Sequence, residues 1–443
     1  MMDHARRYAL RCLRTAGAAS AVLFATHQVT EGGMSMNVTA ELEPAKGMKK
    51  LKESDLDLRF VQVVFRHGAR APLTERLGAH DVKWQYCGRA YEPVPEDIKG
   101  LEGTRRPKSR SDERQRKVVF DGGCRMGQLT ANGQLQALQL GDWLRNKYAL
   151  ERGFLPPEYK SNAIKVRSTN ISRTLDTVTG VLTGLFPDSE DPILVETCED
   201  TKEWLYPNHR NCKRLQQLMA SKKKTLQSKK ENSEYLSELE RKLRKALEIS
   251  DKEEEVRFVA MYDVCKTVKF HSNKQHYNMN DELLKELEHV AVEVMKAFVA
   301  PEDSEELLSL SIGKVLEDLF MGMQLAASGK SGLAKMQLFS GHDTTLMPIL
   351  VALGYDLKDW PPFMSNLIFE LYWSESLQKH FVRIMYNKEV LRLKGDNGEG
   401  FIELPKLFSL LQPFMSVDYN SRCNQVSSAT SKPALSGVSN GVD

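Results

Sequence analysis

Three short stretches of this 443-residue chain carry side chains suited to handling a phosphoryl group. Arg66-His67-Gly68-Ala69-Arg70-Ala71-Pro72 sets an imidazole between two guanidiniums on a turn. Arg167-Ser168-Thr169-Asn170 adds a third guanidinium, and His342-Asp343 pairs a second imidazole with a carboxylate. Guanidinium forks match phosphate oxygens two at a time, so a convergence of the three stretches implies an anionic phosphoryl ligand. Positive charge on both sides of His67 favours its neutral, nucleophilic form. One ring nitrogen must then stay free to attack phosphorus, and the other needs an acceptor, for which a backbone carbonyl of the turn is the candidate. Gly68 lets backbone and ligand approach closely. Each residue also has a plainer reading. A histidine is often a satisfied core residue, Arg167 can salt-bridge a neighbouring carboxylate, and Asp343 stands where a helix N-cap is expected, before Thr344-Thr345-Leu346. The joint pattern is more specific than any member of it.

Each of the three stretches directly follows an apolar run. Leu58-Arg59-Phe60-Val61-Gln62-Val63-Val64-Phe65 reads as a strand buried on both faces of an α/β sheet. Ala163-Ile164-Lys165-Val166 and Met336-Gln337-Leu338-Phe339 read as two more. In an open α/β sheet, functional loops gather at the carboxyl ends of the strands. Helices are expected after the loops: one capped by Thr130 with Leu135, Leu138, Trp143 and Leu144, one through Leu175, Val178 and Leu182, and one from Thr344 through Leu353. Further strands are expected at 367–372 and 381–386. Pro93 to Lys117 reads as a long solvated loop, basic in its second half. The middle of the chain changes character. Lys222 to Arg257 is dense in Lys and Glu with Leu236, Leu239, Leu243 and Leu247 at helical spacing, and Asp281 can cap another helix. The expected organisation is a sheet core over 56–195 and 301–420, a helical cap over 196–300, and a polar, disordered tail over 427–443.

Composition bounds the rest. An apolar fraction of 41% with 27% charged residues is ordinary for globular proteins, and no apolar run is long enough to span a membrane. The formal charge of +3 belongs to one end: Arg6, Arg7, Arg11 and Arg14 face only Asp3 before Glu31, and the remainder carries 58 basic and 58 acidic residues. A neutral body is not built around nucleic-acid phosphates. Residues 1–30 have the composition of a mitochondrial presequence, and the short apolar patch at Ala19-Val22-Leu23-Phe24-Ala25 leaves a secretory signal as the alternative. Seven cysteines show no CxxC spacing and leave disulfides and buried thiols both open. Asn37 and Asn170 begin glycosylation triplets.

The RHGxRxP stretch at Arg66–Pro72, the His342-Asp343 pair and Arg167-Ser168-Thr169 resemble the motifs of the histidine acid phosphatases, over about Asp55 to Cys423. Within that family, Val61-Gln62-Val63-Val64-Phe65, Gly127-Gln128-Leu129-Thr130, Leu205-Tyr206-Pro207-Asn208 and Trp360-Pro361-Pro362-Phe363 resemble the members acting on lysophosphatidic acid. The resemblance implies a phosphoglycerate mutase-like α/β core, a mainly parallel sheet flanked by helices, with an inserted α-helical cap. It implies a phosphohistidine intermediate, with no metal and no cofactor. Carried over residue by residue, His67 is the nucleophile, Asp343 the proton donor, and Arg66, Arg70, Arg167 and His342 bind the phosphate. The mutase branch of the fold usually has an acidic residue after RHG and lacks the His-Asp pair. Ala69 and Asp343 therefore favour hydrolysis. The substrate implied is a small phosphate monoester, a lysophospholipid at a membrane surface, handled by a monomer without a transmembrane anchor. Leu73, Trp84, Tyr206 and Phe363 are candidates to line an acyl cleft between sheet and cap. A phytase-like enzyme of soluble polyanionic esters, suited by the basic loop at Arg105–Lys117, is the alternative. A catalytically silent phosphate-binding module is the second. An acidic optimum is expected, since Asp343 must carry a proton.

Overall fold

Ten residues, Asp57–Arg66 (β1), alternate between two cores. Val61, Val63 and Phe65 pack on one side of the sheet, Phe60 and Val64 on the other. That two-fold alternation, with both faces covered, is why the run is apolar almost without interruption. The computed structural model describes residues 51–425, apart from 76, 78, 80–81, 251–256, 273–276, 302–303, 331 and 416–417. The expected presequence, Asn37 and the tail from 427 lie outside the described residues.

After β1 come β2 (Glu96–Gly100), α1 (Arg110–Gln115), α2 (Ala131–Leu144), β3 (Ile164–Ser168), α3 (Ser172–Leu185) and β4 (Ile193–Thr197). Four helices follow: α4 (Lys213–Glu231), α5 (Glu234–Ala246), α6 (Phe258–Ser272) and α7 (Asp281–Val299). The chain then returns to the sheet through α8 (Glu305–Ala327), β5 (Met336–Gly341), α9 (Asp343–Ala352), β6 (Asn366–Ser374), β7 (Lys379–Tyr386), β8 (Glu389–Val390) and β9 (Phe401–Glu403). Two short helices close it, α10 (Leu404–Leu411) and α11 (Tyr419–Asn424).

The strand order is β2-β4-β3-β5-β1-β6-β7-β8, with β9 on β7. From β2 to β1 neighbours run parallel; from β1 to β8 they run antiparallel. The architecture is thus the α/β sheet with an inserted helical layer, its far half antiparallel. Helices α2 and α3 cover one face; α8, α9 and the inserted helices cover the other.

Register is what matters for chemistry. Arg66 lies opposite Gly341 across β1 and β5, and Ser168 opposite Ser340 across β3 and β5. Three strands therefore end at one level, and their outgoing loops emerge side by side.

Several local expectations change. The stretch from Pro93 holds an edge strand, β2, paired in parallel with β4 over five residues. The cap of α7 is Asn280, whose side chain accepts from the Leu283 N–H, and not Asp281. Helix α6 was not among the expected elements: its buried Phe258, Met261, Tyr262, Val264, Cys265 and Val268 recur at helical spacing, and Val259, Ala260 and Phe270 blur that stripe with apolar side chains off it. Two disulfides form, Cys87–Cys124 and Cys212–Cys423, while Cys198 and Cys265 are buried thiols. The second closes 211 residues and joins the start of α4 to α11, a constraint on the unfolded chain worth about 5 kcal/mol in the loop-entropy account.

Candidate active site

The loop leaving β1 presses onto α2. A Cβ at Gly68 would stand 2.4 Å from the carbonyl oxygen of Gly133. Helix contact by itself therefore requires Gly68. Around that contact the Gly68 N–H donates to Thr177 Oγ1 (3.1 Å) and the Ala69 N–H to Gln136 Oε1 (2.9 Å). The turn is pinned to both α2 and α3.

So held, His67 is 2% exposed, and its Nδ1 meets the Gly68 carbonyl oxygen at 2.9 Å. A carbonyl only accepts, so Nδ1 carries the proton and Nε2 the lone pair. Burial first, then the charges of Arg173, Arg66 and Arg70, push the His67 imidazole well below its usual range. Both causes favour its neutral form.

Arg66 donates from Nη1 to the Pro361 carbonyl (2.5 Å) and from Nη2 to Asp343 (2.8 Å). Arg70 is held by Asp263, Nη2 to Oδ1 at 2.8 Å and Nη1 to Oδ2 at 3.3 Å. The Phe363 ring lies against both guanidiniums, 4.5 Å from Arg66 and 5.8 Å from Arg70. The Nε–H groups of Arg66 and Arg70 are buried with no protein partner.

His342 is the N-cap of α9, and its backbone N–H donates to Thr345 Oγ1. The capping position expected for Asp343 thus belongs to its neighbour, which leaves the Asp343 carboxylate for other partners. It accepts from Arg66, from the Thr344 N–H (2.8 Å) and from the Trp360 indole N–H (2.9 Å). Burial pushes this carboxyl up, but Arg66 and the Trp360 hydrogen bond outweigh it and hold it below its ordinary value. The His342 ring meets Thr169 Oγ1 through Nε2 (3.0 Å) and Arg173 Nη2 through Nδ1 (3.4 Å). Burial first and Arg173 next hold it well below the usual histidine range.

Arg167 is not in this group. It lies within β3, one position too early for the loop, and its guanidinium grips Glu203 at 2.8 Å through both carboxylate oxygens. Cys198 Sγ at 2.9 Å, the Trp204 ring at 5.1 Å and the Ser168 carbonyl, which accepts from Nη1, also surround it, and it does not line the central cavity. The salt bridge considered as its plain alternative is what the fold adopts. The third guanidinium in the cavity is Arg173, 2% exposed, six residues on in the first turn of α3. A cation there opposes the helix dipole, which favours anions at that end. An apolar-faced helix beginning with such an arginine was the signal available in the sequence.

The basic loop is not simply solvated either. Asp112 is 4% exposed; it accepts from Arg106, and it takes the backbone N–H and hydroxyl of Ser172 at 2.8 and 2.7 Å. It thereby anchors the start of α3 and with it Arg173. Asn170 is buried, bonded to Arg106 and to the Pro107 carbonyl. A glycan has no access to it.

The cavity above these groups has a volume of about 930 Å³. His67, Arg66, Arg70, Arg173, His342 and Asp343 lie at one end. The walls away from them include Leu73, Leu77, Val118, Val259, Met261 and Phe270, with Tyr206 and Phe363 between. Trp84 does not reach it. That ring is fully buried against Phe120, its N–H given to the Ala79 carbonyl.

The family model described as histidine phosphatase superfamily (branch 2) matches residues 57–387. Lysophosphatidic acid phosphatase type 6 of Homo sapiens is 32% identical over 79% of this chain and 81% of its own. The protein of the same name from Mus musculus is 31% identical over 79% and 83%. Among solved structures, Hafnia alvei phytase in complex with tartrate aligns with a TM-score of 0.58 at 15% identity, covering 84% of this chain and 99% of that one. That last likeness concerns the fold.

Proposed function

This chain belongs to branch 2 of the histidine phosphatase superfamily and is an acid phosphatase of that family, and we propose that it releases phosphate from lysophosphatidic acid through a phosphohistidine at His67. The observation that carries the chemistry is the His67 ring, with Nδ1 committed to Gly68 and Nε2 left with its lone pair among three buried guanidiniums. In the first step Nε2 attacks phosphorus, the P–N bond forms and the P–O ester bond breaks. Arg66, Arg70 and Arg173 hold the equatorial oxygens, since phosphoryl transfer asks chiefly for positioning and charge. His342 joins them as the tautomer with its proton on Nδ1, exchanging the long Arg173 contact for a bond donated to a phosphate oxygen, with Thr169 donating to Nε2. Asp343 gives its proton to the departing alkoxide. In the second step its carboxylate takes a proton from water as that water attacks phosphorus and the P–N bond breaks.

Asp343 is ion-paired with Arg66 in the unliganded site, so its proton must be recovered before the first step. An incoming phosphate competes for Arg66 and brings negative charge beside the carboxyl, and both effects raise its affinity for a proton. This is the physical reason to expect an acidic optimum.

The outer walls support the choice of substrate class. Beyond the phosphate end, Arg114, Arg257 and Lys266 are offset by Glu75 and Glu248, and the remaining lining is largely apolar. A polyphosphorylated inositol would need a larger excess of cations than the single one left by that offset; an acyl chain needs the apolar wall. We read the product as a monoacylglycerol. A monomer working at a lipid surface suits this substrate, and no helix among the described residues is long and apolar enough to cross a membrane. The Arg-rich leader supports a mitochondrial address, and the two disulfides favour an oxidising compartment. Imaging a C-terminal fusion distinguishes this from the secretory alternative.

The test is a comparison of turnover on three substrates. Vanadate-sensitive hydrolysis of an aryl phosphate is expected, and its absence would return the silent-module reading. Lysophosphatidic acid should exceed inositol hexakisphosphate in kcat/KM; the reverse order means a phytase-like enzyme. Acid-labile label on the protein after rapid quench with radiolabelled substrate is expected, and failure to trap it removes the covalent step.

A further inference from the structure

Asp263 stands in none of the sequence motifs. It lies on α6 of the inserted helices, 193 residues from Arg70, yet it touches Arg70 twice. Its Oδ1 accepts from Nη2 at 2.8 Å, and its Oδ2 accepts from Nη1 at 3.3 Å and from the Leu73 backbone N–H at 3.1 Å. One carboxylate thus grips both terminal nitrogens of a phosphate-end guanidinium and the loop backbone three residues further on. Arg66, by contrast, is oriented from the sheet side, by the Pro361 carbonyl and Asp343. The further contact of Arg70 is a long bond to the carbonyl of its own neighbour, Ala71, at 3.2 Å.

We propose that Asp263 is a positioning residue for phosphate binding, a cap carboxylate that fixes the plane of the Arg70 guanidinium at the inner end of the cavity. The proposal rests on the phosphatase reading above. An arginine side chain has four flexible torsions, and its planar fork recognises phosphate only when presented in one orientation. Two-point contact with a carboxylate supplies that orientation. The Arg167–Glu203 pair shows the alternative outcome of the same chemistry, in which the carboxylate keeps its guanidinium out of the cavity. Asp263 itself lines the cavity, as Arg70 does, so its grip leaves Arg70 facing the ligand space. Its charge also offsets one of three clustered cations, Arg66, Arg70 and Arg173, which would otherwise repel one another. Because α6 carries Val259, Tyr262 and Phe270 into the same cavity, the helix that walls the outer end also sets a guanidinium at the inner one.

The experiment is a double-mutant cycle between Asp263→Ala and Arg70→Ala, read on an aryl phosphate that makes no use of the outer walls. Asp263→Ala should lower kcat about 30- to 100-fold with KM changed less than fivefold, the size expected when a clamp is misplaced by about 1 Å. Asp263→Asn, which keeps the shape and one acceptor oxygen, should recover part of that loss. In an Arg70→Ala background the Asp263→Ala change should have no further effect on kcat. Wild-type kcat in Asp263→Ala, or the same fold-loss in both backgrounds, overturns the proposal, since a merely structural role is indifferent to Arg70. Calorimetric titration with inorganic phosphate gives a readout apart from turnover. The same non-additivity in phosphate affinity supports the coupling even if no ester is hydrolysed, so its failure and that of the phosphatase reading are separable.

Discussion

The two ends of the central cavity are built by different means. At the inner end the candidate reacting groups come from strand ends, the loops that follow them or the first turn of the next helix, and Asp263 reaches in to Arg70 from the inserted helices. His67 follows β1, Arg173 opens α3, and His342 and Asp343 join β5 to α9. At the outer end the walls come largely from the inserted helices and the β1 loop, and most of the side chains they offer are apolar. The difference separates chemistry from choice of substrate. Phosphorus must be met by atoms placed within tenths of an ångström, which the parallel register of β1, β3 and β5 provides. A flexible tail needs only dry volume.

Substitutions at the inner end should therefore affect all substrates alike, and those at the outer end should separate them. The largest effect belongs to His67→Ala, with turnover of aryl phosphate and lysophosphatidic acid both falling by roughly 10⁴-fold or more. Next is the pair of arginines. Arg173→Ala should lower kcat on either substrate by about 10²- to 10³-fold, as the loss of one transition-state donor does. Arg167→Ala should instead leave Glu203 as a buried unpaired charge, costing about 3–5 kcal/mol in denaturant unfolding, with kcat of the folded fraction kept near wild type. Equal kinetic losses in the two variants would break the distinction drawn between them.

The outer end is probed by Val259→Asp, a charge on the α6 wall. It should raise KM for lysophosphatidic acid about tenfold or more and leave aryl phosphate within a factor of two. An equal effect on both substrates would mean that the wall also shapes the phosphate end. The smallest expected effect is a shift in pH dependence. Asp343 acts while protonated, so the alkaline limb of kcat/KM follows its proton affinity, which Arg66 and Trp360 hold low after burial has raised it. Trp360→Phe removes a donor that favours the anion, so the limb should move to higher pH, by roughly 0.5–1 for one hydrogen bond. Unchanged limbs would assign the proton to another group. His67, neutral throughout because of burial and its arginines, should contribute no acid limb in the ordinary histidine range.

Much of the inner end was legible in the residues. Unbroken apolar runs marked β1, β3 and β5, and Arg66, His67, Arg70, His342 and Asp343 stood directly after two of them. Arg167 was misjudged because strand β3 continues through it to Ser168, which turns its side chain to Glu203 and leaves the loop position to later residues. The outer end was mostly illegible. Helix α6 buries Phe258, Met261, Tyr262, Val264, Cys265 and Val268 along one side, but Val259, Ala260 and Phe270 carry apolar surface to the cavity as well, so its stripe has no clean polar opposite. Trp84, a natural candidate by its size, is a core side chain.

By itself the sequence determined the layered class, the strands that carry the site, five of the six polar groups gathered at the inner end of the cavity and the neutral body behind a basic N-terminal segment. These are local matters of residue type, period and position after a strand. Tertiary structure alone decided which arginine completes the clamp, which cysteines pair, which side chains wall the outer cavity, and that Asp263 meets Arg70 from 193 residues away. Such contacts depend on where helices pack in space, and packing direction leaves no period in the chain.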